Sequence, residues 1–221
     1  MSARISGGRG KRSPGARVTE ERIVTVALAL TQRHGLMGWT MDRLAGELGV
    51  ARFTINNRLG DIGTVRHAVV ARVTTLIPRI PVDEDTAWDI RLRRWAGALF
   101  GVLWTSPGCA GPLAAWCTSD TGPAAPLTRQ ITDLLRTAGL TDAEQLARGF
   151  FATTCGLVAA EDERWDRGES RSAVGNEGFV LYGHVVDLLL DGLQVRAQQG
   201  PDPADRPWRV VRSADPPDEY A

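Results

Sequence analysis

Several things are scarce or missing in this chain of 221 residues, and each absence narrows what it can do. Lysine is almost gone: Lys11 is the single one among 26 basic residues, a bias that follows genome composition as readily as chemistry and excludes nothing. Cysteine is sparse. Cys109, Cys117 and Cys155 form no CxxC, and the eight-residue step from Cys109 to Cys117 is not the paired spacing of a zinc site, so neither a disulfide framework nor a metal is expected. Buried thiols in a reducing cytoplasm are expected instead. The histidines, His34, His67 and His184, fall in separate segments and offer no nucleophile–base pair. No unbroken run of about 18 apolar residues suggests a membrane span, and the basic start lacks the apolar segment of a secretory signal. No repeat and no strand-period segment stands out, which predicts an all-α protein. Gly7-Gly8-Arg9-Gly10 lacks the strand–loop–helix setting of a phosphate loop, and Glu161-Asp162-Glu163 reads as a solvated helix end. No enzymatic activity, cofactor or metal is therefore expected.

What is present is a division of charge. The formal net charge is zero, yet residues 1–80 hold 13 basic and 5 acidic residues while residues 81–221 hold 13 and 21. A basic module for a polyanion followed by an acidic module for something else fits that split. Residues 1–17, with Arg4, Arg9, Lys11, Arg12 and Arg17 among Gly, Ser and Pro, read as a flexible basic arm. Such an arm can follow phosphates or stay a solvated tail.

The stretch from Thr40 to Arg58 organises the rest. It reads as two short helices joined at Gly49, with Leu44, Leu48, Val50 and Ile55 apolar where steeply crossing helices must touch. Ala45 is small where they come closest, and Gly49 can take the positive φ that a tight turn needs. The Ala45–Gly49–Ile55 spacing is that of a helix-turn-helix, against the plainer reading of a helical hairpin in a bundle. Upstream, Thr19 reads as an N-cap and Gly35 as the stop of a first helix carrying Ile23, Ala27 and Leu30. Trp39 reads as the residue locking that helix to the next. Asp61 reads as the cap of a fourth helix running to Pro78.

Pro78, Pro81 and Asp83-Glu84-Asp85 mark the seam between modules. Beyond it, Trp88, Leu92, Trp95 and Leu99 recur at helical spacing until Ser106-Pro107-Gly108. A short helix follows at Leu113–Cys117, another over Leu127–Leu135, and a long one opened by a Thr141/Glu144 capping box. Glu161–Arg171 reads as a charged turn, and the last helix starts near Asn176. That helix is apolar on more than one face, so one face covers its own core and another, with Phe179, Leu181, Val185, Leu188 and Leu189, is expected to meet a second copy. The expected layout is about nine helices. It comprises the arm (1–17), a helix-turn-helix domain (18–62), a larger helical ligand-binding and dimerisation bundle (63–198), and a proline-rich disordered tail (199–221).

Over residues 19–75 the chain resembles the TetR/AcrR family of bacterial transcriptional regulators. The matching residues are Ile23 and Ala27, His34-Gly35, Thr40 with Leu44-Ala45, and Leu48-Gly49-Val50. The resemblance implies a homodimer with one DNA-binding head per subunit, a small-molecule pocket in the larger domain, and dimer pairing through the last two long helices. Three positions depart from it. Where the family commonly has Tyr, Phe and Lys after the recognition helix, this chain has Asn56, Leu59 and Ile62. Leu59 keeps apolar packing, Asn56 loses aromatic reach, and Ile62 loses a cation that Arg58 and Arg66, with the fourth helix's free N–H groups, are expected to replace.

On DNA, a recognition helix presents its N-terminal residues to base edges, which selects Arg52, Phe53 and Thr54, with Asn57 at the edge. Arg52 suits guanine, and Phe53 either meets a thymine methyl or packs inward. Thr40, Arg43, Asn56 and Arg58 suit phosphates. One head has little surface, so two heads reading a near-palindrome of double-stranded DNA are expected. In the second module the candidate pocket residues are Trp88, Trp95, Leu99, Trp104, Trp116, Phe150 and Thr154, set against the alternative that they are plain core. The function expected is a cytoplasmic, homodimeric repressor released by a small hydrophobic or aromatic effector. The alternative is a ligand-independent DNA-binding or architectural protein of the same fold.

Overall fold

The computed structural model describes residues 18–83, 85–117, 119, 121–166 and 171–199. The expected basic arm and proline-rich tail lie outside these residues, apart from Gln199, which ends the last helix. Among the described residues there are nine helices and no strand: α1 (Glu20–His34), α2 (Met41–Leu48), α3 (Arg52–Leu59), α4 (Ile62–Leu76), α5 (Trp88–Trp104), α6 (Ala110–Trp116), α7 (Ala125–Thr137), α8 (Ala143–Asp166) and α9 (Arg171–Gln199).

Local chemistry sets the head. Thr19 Oγ1 accepts from the Arg22 N–H at 3.2 Å, and Glu20 and Glu21 follow at the positive end of the helix. Thr40 Oγ1 caps α2 through the Arg43 N–H, and Asp61 Oδ1 caps α4 through the Thr64 N–H at 2.8 Å. Gly49, with φ 66°, closes α2: its N–H reaches Gly46 O while the Val50 N–H reaches Ala45 O, the paired bonds of a Schellman turn. Any side chain at 49 would have to adopt that left-handed backbone at a cost. Ile23, Ala27 and Leu30 of α1, Leu44 and Ala45 of α2, Ile55 of α3 and Val65, Val69 and Val73 of α4 form one buried core. The Trp39 indole N–H donates to Thr31 Oγ1 at 3.0 Å, so this ring does lock α1 to the start of α2.

The seam is strapped down. Ile80 N–H donates to Gln130 Oε1 at 2.9 Å, and the Trp95 indole donates to the Pro78 carbonyl at 2.9 Å. In the body, α8 is the axis against which α5, α6, α7 and α9 pack.

Three boundaries differ from the sequence reading. The long helix opens at Ala143, with Asp142 O accepting from the Leu146 N–H, and Glu144 pairs with Arg148 at 2.7 Å in place of a capping box with Thr141. Glu161–Asp166 is helix and not turn, because its carboxylates have partners. Asp162, 8% exposed, accepts from the Gly108 N–H at 2.8 Å, and Glu161, 6% exposed, from Arg164 at 3.1 Å. The last helix begins at Arg171, ahead of the apolar repeat that starts at Phe179.

One stretch, Glu177–Gln199, is long and apolar enough to cross a membrane by length and composition, with a mean hydropathy of 1.2. Its Tyr182, Val186, Leu190 and Leu193 are buried in the body and its Asp187 is paired with Arg93, so it is a core helix with a second apolar face.

Candidate nucleic-acid interface

Helix α3 is held to the core by Ile55, with Leu59 half-buried beside it at the helix end. Ile55 is fully buried, while Arg52, Phe53, Asn56, Asn57 and Arg58 face out and Thr54 is half-buried. Phe53 is 73% exposed and so does not pack inward. Arg52 leans back to Asp42 on α2, Nη1 to Oδ2 at 3.4 Å, and with both side chains exposed that pair is worth less than about 1 kcal/mol. It steadies the guanidinium on the exposed side of α3 at little cost to its release. Thr40 and Arg43 at the start of α2 are exposed beside it. Thr40, Arg52, Asn56, Asp61 and Ile62 line a shallow recess of about 290 Å³ where the starts of α2, α3 and α4 converge.

Two groups expected to replace the missing cation already have partners within the protein. Arg66 points inward: its Nη2 donates to Trp39 O at 3.0 Å and Met37 O at 3.3 Å, and its guanidinium lies over the Trp39 ring. The N-terminus of α4 already carries a carboxylate. Asp61 takes the N–H groups of Thr64 and Gly63 and the Thr64 hydroxyl, which hold its pKa below the usual carboxylate value. Its charge weakens that helix end as an anion site.

The candidate pocket residues do not meet around one cavity. Trp95, Leu99, Phe150 and Thr154 are buried in the core, with Thr154 Oγ1 donating to the carbonyls of Phe150 and Phe151. Trp104 stacks on Phe100, at 5.8 Å between centroids, in a cluster with Phe179 and Tyr182. Trp116 at the end of α6 lies 4.6 Å from the His67 ring on α4, and Trp88 is half-buried at the start of α5. The aromatic content alone could not separate core from cavity, since both use the same side chains.

Of the candidate dimer residues, Phe179, Leu181 and Leu188 are 53%, 51% and 70% exposed, while Val185 and Leu189 are half-buried. Phe150, Thr153, Leu188 and Leu189 border a groove of about 390 Å³ between α8 and α9. Cys109, Cys117 and Cys155 are free and buried, and burial pushes the Cys109 thiol up to about 12.

Sequence reasoning missed a junction between head and body, because its partners are far apart in the chain. The Leu36 N–H donates to the Pro107 carbonyl at 2.9 Å, and Trp165 lies against Gly35. Gly108, at φ 81°, is closely approached: a Cβ there would sit 3.0 Å from that of Leu36, which would have to give way, and on a backbone that L side chains rarely adopt. The Ser106-Pro107-Gly108 break was the only signal available.

With this geometry the chain has the all-α fold of TetR-family regulators, an N-terminal helix-turn-helix head on a larger helical bundle. No family model and no curated protein matches the sequence. Among solved structures, the chain is similar to BioQ of Mycobacterium smegmatis, with a TM-score of 0.65 and 23% identity over 80% of this chain and 98% of that one. A structure of BioQ with its double-stranded DNA operator aligns with a TM-score of 0.61 and 22% identity, over 80% of this chain and 99% of that one. The TetR family protein ActR of Streptomyces coelicolor, in complex with actinorhodin, aligns with a TM-score of 0.60 and 22% identity over 82% and 99% of the two chains.

Proposed function

We propose that this chain is a sequence-specific, DNA-binding transcriptional regulator, acting in the cytoplasm as a homodimeric repressor. The observation that carries the reading is α3, a helix whose one fully buried residue is Ile55 and which offers Phe53 and Arg52 to solvent from the second position of a helix-turn-helix. In this reading Arg52, Phe53 and Thr54, with Asn57, face base edges, while Thr40, Arg43, Asn56 and Arg58 fix register on phosphates. The exposed apolar face of α9, with Phe179, Leu181 and Leu188 flanked by Val185 and Leu189, takes the twofold partner. The fold shared with BioQ, solved with its operator, and with ActR, solved with actinorhodin, supports a DNA-binding head and a ligand-responsive body. Effector control would be a population shift between conformations with differently spaced heads.

The test is selection of bound genomic fragments followed by mobility shift with Arg52→Ala and Arg58→Ala. Undiminished binding by both variants would sink the assignment of α3. A second reading has an observation in its favour: Trp95, Leu99, Phe150 and Thr154 are packed as core, which suits a regulator with no apolar effector. Thermal shift against hydrophobic antibiotics, dyes and acyl compounds separates the two, since only a protein with an apolar site is stabilised.

A further inference from the structure

A recess of about 450 Å³ opens between α7 and α8, on a side of the body that the roles above leave unused. Three guanidinium groups stand around it, Arg129 and Arg136 from α7 and Arg148 from α8, against two carboxylates, Asp133 and Glu144. Two of the cations are tied at the rim: Arg136 Nη1 donates to Asp133 Oδ1 at 3.0 Å and Arg148 Nη2 to Glu144 Oε1 at 2.7 Å. Arg129 is held differently. Its Nε donates to the Ala125 carbonyl at 3.3 Å, which fixes the plane of the group, and among the described residues no carboxylate pairs with its two Nη atoms. The floor is polar as well, because Thr128 and Thr132 are buried there with their hydroxyls donating to the Ala125 and Thr128 carbonyls.

A cavity of this size accepts a small metabolite, but these walls do not suit an apolar one. An oriented guanidinium with two open N–H groups suits a planar carboxylate or a phosphate, bound through paired hydrogen bonds. A second acidic group on the same molecule would meet Arg148 or Arg136 and compete with Glu144 or Asp133 for it. We propose that this cleft binds a small organic polyanion carrying two or more carboxylate or phosphate groups. The site is not remote from the head. Arg148 is close enough to Cys117 to offset part of the upward push of burial on that thiol, and the neighbouring Trp116 is the residue packed on His67 of α4.

The experiment is calorimetric titration of the full chain with no DNA present, so its failure leaves the regulator reading untouched. Citrate and tricarballylate form the carboxylate arm, pyrophosphate and glycerol 2-phosphate the phosphate arm. The expected result is saturable one-to-one binding in at least one arm at submillimolar Kd. Arg129→Gln should weaken it about tenfold or more with the melting temperature unchanged, while the control Arg22→Gln, an exposed arginine on α1, leaves it as it was. Binding confined to one arm identifies the acidic group. No saturable binding by any of the four probes, or binding that Arg129→Gln and Arg148→Gln both leave intact, would overturn the proposal.

Discussion

The guanidinium of Arg66 lies 5.3 Å from the centre of the Trp39 ring and donates to the carbonyl of Trp39 itself at 3.0 Å. One side chain of α4 thus holds both the ring and the backbone at the entry to α2. A cation that resembles a phosphate ligand in the sequence is a structural clamp in the fold. Arg66→Ala should therefore cost about 2 kcal/mol and lower Tm by roughly 5 °C, because Trp39 O and Met37 O lose a charged donor. The salt dependence of DNA binding should stay as in the parent. A reduced salt slope in a folded Arg66→Ala protein would put this residue on a phosphate after all.

Arg43 and Arg58 should behave in the opposite way. Each is exposed, so alanine there should leave stability within about 0.5 kcal/mol of the parent and reduce the slope of log K against log salt by about one for each head. Titration at several salt concentrations gives the slope, and a thermal melt gives the stability.

Phe53 is exposed enough that Phe53→Ala should leave stability unchanged. Discrimination between operator and unrelated DNA should nevertheless fall, by about 1 kcal/mol if the ring covers a thymine methyl. Replacing operator thymines with deoxyuridine one at a time locates that methyl. The substitution that weakens the parent should have no effect on Phe53→Ala, and an operator indifferent to every such replacement would refute the contact.

Leu188 is the most exposed large apolar residue of α9. Leu188→Glu should yield a monomer with undiminished helix content, read by light scattering and circular dichroism, and should abolish high-affinity operator binding. A dimer that persists at low micromolar concentration would move the interface elsewhere.

Asp61 gives a pH dependence. Its pKa is lowered first by the Thr64 N–H, then by the Thr64 hydroxyl, so its folded value lies below the unfolded one. The cap's contribution is then fully present above the ordinary carboxylate pKa of about 4 and disappears as pH falls through the folded value. Melts of the parent and Asp61→Ala should differ at pH 6 and converge in strong acid. A gap that stays constant into strong acid would show that the carboxylate is not what caps α4.

The caps and the turn were legible because each depends on near neighbours. Thr19, Thr40, Gly49 and Asp61 act within five residues of themselves, and the chain announces them by residue type and spacing. Arg66 and Asp162 were misread for the reverse reason. Their partners, Trp39 and Gly108, are 27 and 54 positions away, and a charge with a distant buried acceptor or donor looks the same in sequence as a solvated one. The candidate pocket was hard to read on a third ground. Trp95 and Trp116 have the same composition signal, but one fills the core and the other sits at the junction with α4. The recess lined by Arg129 left no pattern, since its walls come from helices whose register against each other is set only by packing.

The head meets the body through the amide of Leu36 on Pro107, the Trp165 ring against Gly35 and the ring of His67 on Trp116. Two of these contacts converge on residues 35–36, between α1 and α2, so a shift of α6 or of the loop before it would be felt both at the stretch just ahead of α2 and along the flank of α4.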